Sequence, residues 1–216
     1  YYDSDGRYIE DLYETNSLGA KQISGMKPVT SDSSREGTHM FLYYSRNRHN
    51  IIFQNKEHVV HTMSNVMFEQ PLTADYFNAR QDSYGMETMP WNFVDKNGNT
   101  VQVQVPVPDL PTGYEKGSVR FAGWYTTPLC VDGTEFNFAN SQMLDANITL
   151  FAKWEPTTWN VKVYNDKAIM EETPENTLMD VTKEFGEMIK EPTYTKINDN
   201  YIFAGWYYME EGEEKR

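Results

Sequence analysis

The chain reads as an α+β protein, mostly β, built from tandem small modules that each carry a mixed sheet and one short helix. Three observations predict this. The pentapeptide Phe121-Ala122-Gly123-Trp124-Tyr125 recurs unchanged as Phe203-Ala204-Gly205-Trp206-Tyr207, and an internal repeat organises a fold before any weaker signal does. Short runs that alternate polar and apolar residues, bounded by turn signals, precede and follow each copy. The third observation is composition. With Gly counted in place of Tyr, apolar residues make up about 38% of the 216, below the roughly 45 to 50% usual for globular domains. Rings are abundant, with 5 Trp, 15 Tyr and 11 Phe. Too few aliphatic side chains for one large core, and an excess of aromatic ones, fit several thin cores filled by rings.

Residues 1–46 read as the tail of a preceding β-rich unit. Asp3 to Ile9 is a turn entering a strand, Thr15 to Glu36 is rich in Ser, Gly and Thr with little periodicity, and Met40 to Tyr44 is a strand running into the next module. A complete module is expected over residues 47–156. Its first strand is Asn50-Ile51-Ile52-Phe53. Its helix is Thr73 to Arg80, with Thr73 as N-cap and Asp75 at the positive end of the dipole. The pentapeptide supplies a later strand, and Ile148 to Trp154 closes the module. In that closing strand Ile148, Leu150 and Ala152 share one face and Thr149, Phe151 and Lys153 the other.

From Asn50 to Phe121 is 71 residues, and from Asn160, which opens the matching strand of the second copy, to Phe203 is only 43. The difference of 28 residues reads as an insertion in the first copy, at about residues 82–117. Within it, Trp91 to Asp95 and Thr100 to Val105 flank Asn97-Gly98, the signal of a hairpin with a tight primed turn. Pro106, Pro108 and Pro111 then end regular pairing. Residues 157–216 read as a truncated second module: a strand at Asn160 to Val163, a helix from Val181 to Ile189 weakened by Gly186, the pentapeptide, and no closing strand. The chain opens on Tyr1 and not Met, as a piece of something longer does.

Strand alternation places Phe121, Gly123 and Tyr125 on one face and Ala122 and Trp124 on the other, with Gly123 admitting a ring or a second backbone at close range. A structural role follows for Phe121, Gly123, Trp124, Tyr125 and Trp154, with Trp124 packed on Trp154, and for Phe203, Gly205, Trp206 and Tyr207 in the second copy.

Chemistry is sparse. Nineteen Lys+Arg against 32 Asp+Glu leave a net charge of −13, and no basic stripe longer than Arg46, Arg48 and Lys56 is present, so nucleic acid is excluded as a partner. No stretch approaches the roughly 20 apolar residues that span a bilayer, so direct membrane insertion of this stretch is not expected. The lone Cys130 forms no internal disulfide, and its neighbours Leu129 and Val131 point to burial. His58 and His61, three apart on a strand, face opposite ways, and no further ligand completes a metal set with them or with His39 and His49. Asp95 to Asn99 lacks the glycine position and bidentate Glu of a calcium loop. No nucleophile and base stand together, and neither a cofactor nor catalysis is expected.

Phe121-Ala122-Gly123-Trp124-Tyr125-Thr126, then Gly133, Phe136 and Phe138, then Ile148-Thr149-Leu150-Phe151-Ala152-Lys153-Trp154 resemble the Listeria-Bacteroides repeat, also called the internalin-type B repeat, of Gram-positive surface proteins. The shortened copy runs from Trp159 to Tyr207, and Leu42 to Asn47 is similar to the junction that precedes such repeats. The resemblance implies a β-grasp-like fold, tandem repetition with neighbouring repeats as partners, and an extracellular place at the bacterial cell surface or wall, with the anchor outside this stretch. It also implies a role in adhesion or spacing. As an adhesive module the chain would bind a host protein, such as an immunoglobulin or other glycoprotein, or a glycan, through Tyr84, Met86, Met89, Trp91 and Phe93 of the insertion. The alternative for these five residues is that they cover the thin core. The alternative for the whole is a spacer or stalk presenting a distal domain, its modules joined by short connections such as Glu155-Pro156-Thr157-Thr158.

Overall fold

The computed structural model of the protein describes residues 2–3, 22–36, 39–165, 176–193, 203–210 and 213–215. Packing divides the chain into two units, Tyr1–Tyr114 with Phe121–Glu155, and Glu115–Arg120 with Pro156–Arg216. The fold is mostly β, in several small sheets.

The first unit begins with β1 (Tyr2–Asp3), β2 (Met26–Glu36) and β3 (His39–Arg46), in the order β1-β3-β2, with β1 parallel and β2 antiparallel to β3. β2 occupies a stretch whose sequence shows little periodicity. The cause is a register shift between Val29 and Ser34, since extra residues in one strand scramble the alternation that a sequence reading relies on. The expected strand entry at Asp3 to Ile9 lies largely outside the described residues.

β4 (Arg48–Asn55) and β5 (His58–Met67) form a hairpin. With β9 (Val119–Tyr125) and β11 (Ile148–Pro156) they make a four-stranded sheet in the order β5-β4-β11-β9. β4 and β11 run parallel at its centre, Ile148 opposite Ile51 and Leu150 opposite Phe53. All four of these residues point into the core, and Asn55 follows them inward at the end of β4. Two short strands, β6 (Pro71–Leu72) and β10 (Ser141–Gln142), pair antiparallel. α1 (Ala74–Asn78) is the one α-helix among the described residues. Thr73 caps it as expected, its side chain accepting from the Tyr76 N–H at 3.3 Å, and Phe77 is the residue it buries. It stops at Asn78, short of Arg80, where a 3-10 turn over Gln81–Ser83 takes over.

β7 (Glu87–Val94) and β8 (Thr100–Val107) pair only with each other, Trp91 opposite Val103 and Phe93 opposite Val101. Their loop is not the tight primed turn expected at Asn97-Gly98, because such a turn needs positive φ at both residues and only Gly98 has it. Asp95 organises a longer loop instead. Its carbonyl accepts from Gly98 N–H at 3.1 Å, and its Oδ1 accepts from the N–H groups of Asn97 and Asn99, both at 2.8 Å. The bonds to the carboxylate, from Asn99 first and then Asn97, hold it below its ordinary pKa. β8 also runs through Pro106 to Val107, past the expected stop; a two-stranded ribbon tolerates a residue without an N–H.

The core is aromatic. Phe53 meets Trp124 edge-on at 5.0 Å, and Phe138 meets Phe77 at 4.8 Å and Phe136 at 4.9 Å, with Ile51, Leu72, Val103, Val105, Met143 and Leu150 filling between them.

In the second unit β12 (Thr158–Tyr164) pairs antiparallel with β13 (Thr177–Glu184), Val161 opposite Val181, and β14 (Tyr208–Glu210) pairs with β15 (Glu213–Lys215). The helix expected over Val181 to Ile189 is therefore wrong. Val181 and Thr182 are β-branched and alternate in exposure as a strand does. Gly186, at φ +83°, then sits in a turn closed by Glu187 N–H on the Glu184 carbonyl. The second pentapeptide, expected as a strand, lies outside any strand at residues 203–207.

Candidate functional site

The pentapeptide is the distinctive feature of the sequence, and its geometry turns on one glycine. Gly123 holds φ +123°, a conformation that side-chain-bearing residues rarely adopt. The resulting irregularity brings Phe121 and Trp124, which strict alternation would set on opposite faces, into ring contact at 5.6 Å. Trp124 was expected to pack on Trp154. The ring between them is Phe121, 5.6 Å from Trp124 and 5.7 Å from both Trp154 and Trp91.

The indole N–H groups of Trp124 and Trp154 are both satisfied. Trp124 Nε1 donates to the Pro106 carbonyl at 2.8 Å, and Trp154 Nε1 donates to Asn55 Oδ1 at 3.0 Å. Asn55 is itself buried and donates through Nδ2 to the Asp109 carbonyl at 2.8 Å. Sequence reasoning missed it, since nothing local marks an Asn as the partner of a Trp 99 residues away. Tyr125 is buried, with Lys153 donating to its hydroxyl at 3.4 Å. That bond, and then Glu155 at 3.3 Å, push the Lys153 pKa up to about 12.

The second copy reproduces the local geometry without the strand. Gly205 holds φ +130°, and Phe203 meets Trp206 at 5.1 Å. The kink and ring pair thus belong to the five residues themselves. Burial differs: Phe203 and Tyr207 are 39% and 47% exposed, against 9% and 5% for Phe121 and Tyr125. Trp206 bonds the carboxylate of Glu191 at 2.7 Å.

The five residues expected as a partner-binding patch do not gather on the surface. Tyr84 is 2% exposed, with its hydroxyl on the Phe77 carbonyl at 3.3 Å and its ring against Phe53 and His61; burial raises its pKa. Met86, Trp91 and Phe93 pack against the core, and only Met89, at 37%, is exposed. The signal for this was in the hairpin, where Trp91 and Phe93 alternate in step with Val101, Val103 and Val105 across the ribbon.

Reactive groups are scattered. His58 is exposed, while His61 lies half-buried by Phe53 and Tyr84, which lowers its pKa. Cys130 is half-buried in a turn at φ +46°, but Leu129 and Val131 are exposed, contrary to the expectation of a buried run. Burial raises its thiol pKa against the opposing charge of Lys153, leaving a weak nucleophile. An open depression of about 550 Å³ is bordered by Asp82, Met86, Glu87, Thr88 and Asp109. Among the described residues no group of His, Cys, Asp or Glu is arranged to hold a metal, and no helix is long and apolar enough to cross a membrane.

Comparison with known proteins follows the pentapeptides. The sequence matches the Listeria-Bacteroides repeat domain over residues 92–153 and 166–216. It is 31% identical over 97 residues to a protein of Evansella cellulosilytica named putative membrane protein, covering 45% of this chain and 13% of that one. It is 28% identical over 124 residues to Internalin H of Listeria monocytogenes, covering 56% of this chain and 20% of that one. The chain thus spans only a small part of the length of either relative.

Proposed function

The chain belongs to the Listeria-Bacteroides repeat domain family, and from that premise we propose that it is a non-catalytic spacer region of a bacterial surface protein, holding a distal domain away from the cell. The observation that carries this reading is the burial of Tyr84 and the packing of Met86, Trp91 and Phe93 on the core. The hairpin that decorates the first copy is spent on stability and leaves no recognition patch. A β-grasp-like description of the module is supported by the hairpin β4–β5, the intervening α1 and the parallel β11 beside β4. A charge of −13 suits a solvated extracellular segment. The names of the two relatives, a putative membrane protein and an internalin, agree with a place at the surface. The partners in this reading are the neighbouring repeats.

One observation favours a second reading, an adhesive module for a host glycoprotein such as an immunoglobulin, or for a glycan. The second unit exposes Trp159, Tyr207 and Tyr208, and exposed rings are common anchors in interfaces. Passing serum proteins and a glycan array over the immobilised chain separates the two. A spacer retains nothing saturably, and in the full-length protein an unrelated repeat array of equal length replaces it without loss of display of the distal domain. Saturable retention that disappears with Trp159→Ala and Tyr207→Ala establishes the adhesive reading instead.

A further inference from the structure

A single residue, Asn47, joins β3 to β4, and its N–H, its carbonyl and its side-chain Nδ2 are all engaged. Its N–H donates to the Gly25 carbonyl and its own carbonyl accepts from Phe68 N–H, both at 2.8 Å. Gly25 leads into β2 of the N-terminal sheet, and Phe68 follows β5 of the repeat. The connector is therefore stitched to one element on each side. Its side chain donates to Asp145 Oδ1 at 2.8 Å, and His49 Nε2 lies 2.8 Å from the same oxygen. The Gly25 backbone also helps to hold the Asp145 pKa down, after Asn47 and His49. Asp145 thus fastens the connector and the first strand of the repeat at one point, and the connector in turn holds the lead into β2 through its bond to Gly25. Phe68 reinforces the point sterically, because its ring fills the space a side chain on Gly25 would need, and Gly25 holds φ +74°.

The second unit repeats the pattern. Thr157 lies between β11 and β12; its N–H donates to the Ser118 carbonyl at 2.9 Å, and its carbonyl accepts from Phe185 N–H at 2.8 Å. Ser118 leads into β9 as Gly25 leads into β2, and Phe185 follows β13 as Phe68 follows β5. The sheets correspond too. β3 has the parallel β1 on one side and β2 on the other, as β11 has the parallel β4 on one side and β9 on the other.

We propose that β2 and β3 are the closing strands of a further, diverged repeat, and that Asn47, fastened by Asp145, is a module junction that locks this repeat to the next. Residues 22–46 lie outside both stretches that match the family, so the assignment rests on topology and on the paired hydrogen bonds. It goes beyond the spacer reading, since a locked junction would serve an adhesive array equally, and its test is independent of whether any ligand binds.

The test is amide hydrogen exchange on the whole chain with Asp145→Ala. Exchange in residues 22–29 and 43–49 should rise at least about tenfold while β11 and α1 keep wild-type protection, because opening is local when only the fastener is lost. No rise in these segments, or an equal rise across the first unit, overturns the proposal. Should Asp145→Ala fail to fold, Asn47→Ala, which leaves the loop before β11 intact, is read by the same criteria.

Discussion

The indole of Trp91 lies on the bare Cα of Gly123, where a Cβ would stand 2.9 Å from Trp91 Cζ3. This contact joins the β7–β8 hairpin to the pentapeptide strand, and in the first copy it adds a steric reason for the glycine to the positive φ that both copies share.

Gly123→Ala should therefore suffer twice, from a backbone at φ +123° and from the clash with Trp91. Backbone strain and overpacking each cost about 1 to 3 kcal/mol, so a loss of roughly 2 to 6 kcal/mol is expected in urea unfolding. In a Trp91→Leu background the same substitution should cost less, since the smaller side chain relieves the clash and leaves only the strain.

Truncating the hairpin residues should separate core from surface. Tyr84→Ala and Trp91→Ala should each cost about 2 to 4 kcal/mol, as large-to-small changes in a packed core do. Met89→Ala, at an exposed position, should change stability by less than about 0.5 kcal/mol. Equal and small effects at all three in denaturant titrations would return these residues to the surface.

Asn55 bridges Trp154 and the Asp109 carbonyl while buried. Asn55→Leu keeps much of the volume but leaves an indole N–H and a carbonyl without partners, which should cost about 1 to 3 kcal/mol. Thermal unfolding monitored by tryptophan fluorescence measures it, and a neutral result would mean that water replaces the amide.

Asp145 makes stability depend on pH in a defined direction. The bond from Asn47, and then that from His49, hold its folded pKa below the ordinary 3.8. A carboxylate depressed on folding contributes fully above its unfolded value and loses that contribution as pH falls through the folded one. The difference in Tm between wild type and Asp145→Asn should therefore stay constant above roughly pH 5 and shrink below about pH 4. A difference that grows on acidification would contradict the assignment.

What could be read in the sequence was local. The N-cap at Thr73, the alternation through Ile148 and Leu150, and the repeated pentapeptide are each written within a few neighbours; the structure agrees with the first two, and of the third it keeps the kink and ring pair in both copies but the strand only in the first. β13 was misread as a helix because the deciding partner, β12, is remote in sequence. β2 was missed because a register shift erased its period. Asn47 and Asp145 are 98 residues apart, and neither residue type announces such a contact. The expected binding patch failed for a related reason. Aromatic residues look alike in sequence whether they face solvent or fill a ribbon's inner face, and only the pairing of β7 with β8 shows which.

The parallel pairing of β4 with β11 has a mechanical consequence. The first and last strands of the four-stranded sheet are neighbours that run the same way, so the chain enters at one end of their ladder and leaves at the other. Tension along the chain then loads the hydrogen bonds between Ile51–Gln54 and Ile148–Phe151 in shear, all at once, and not one by one as in the unzipping of a hairpin. A module wired in this way resists stretching far better than its modest core would suggest, a property that the proposed spacer would use.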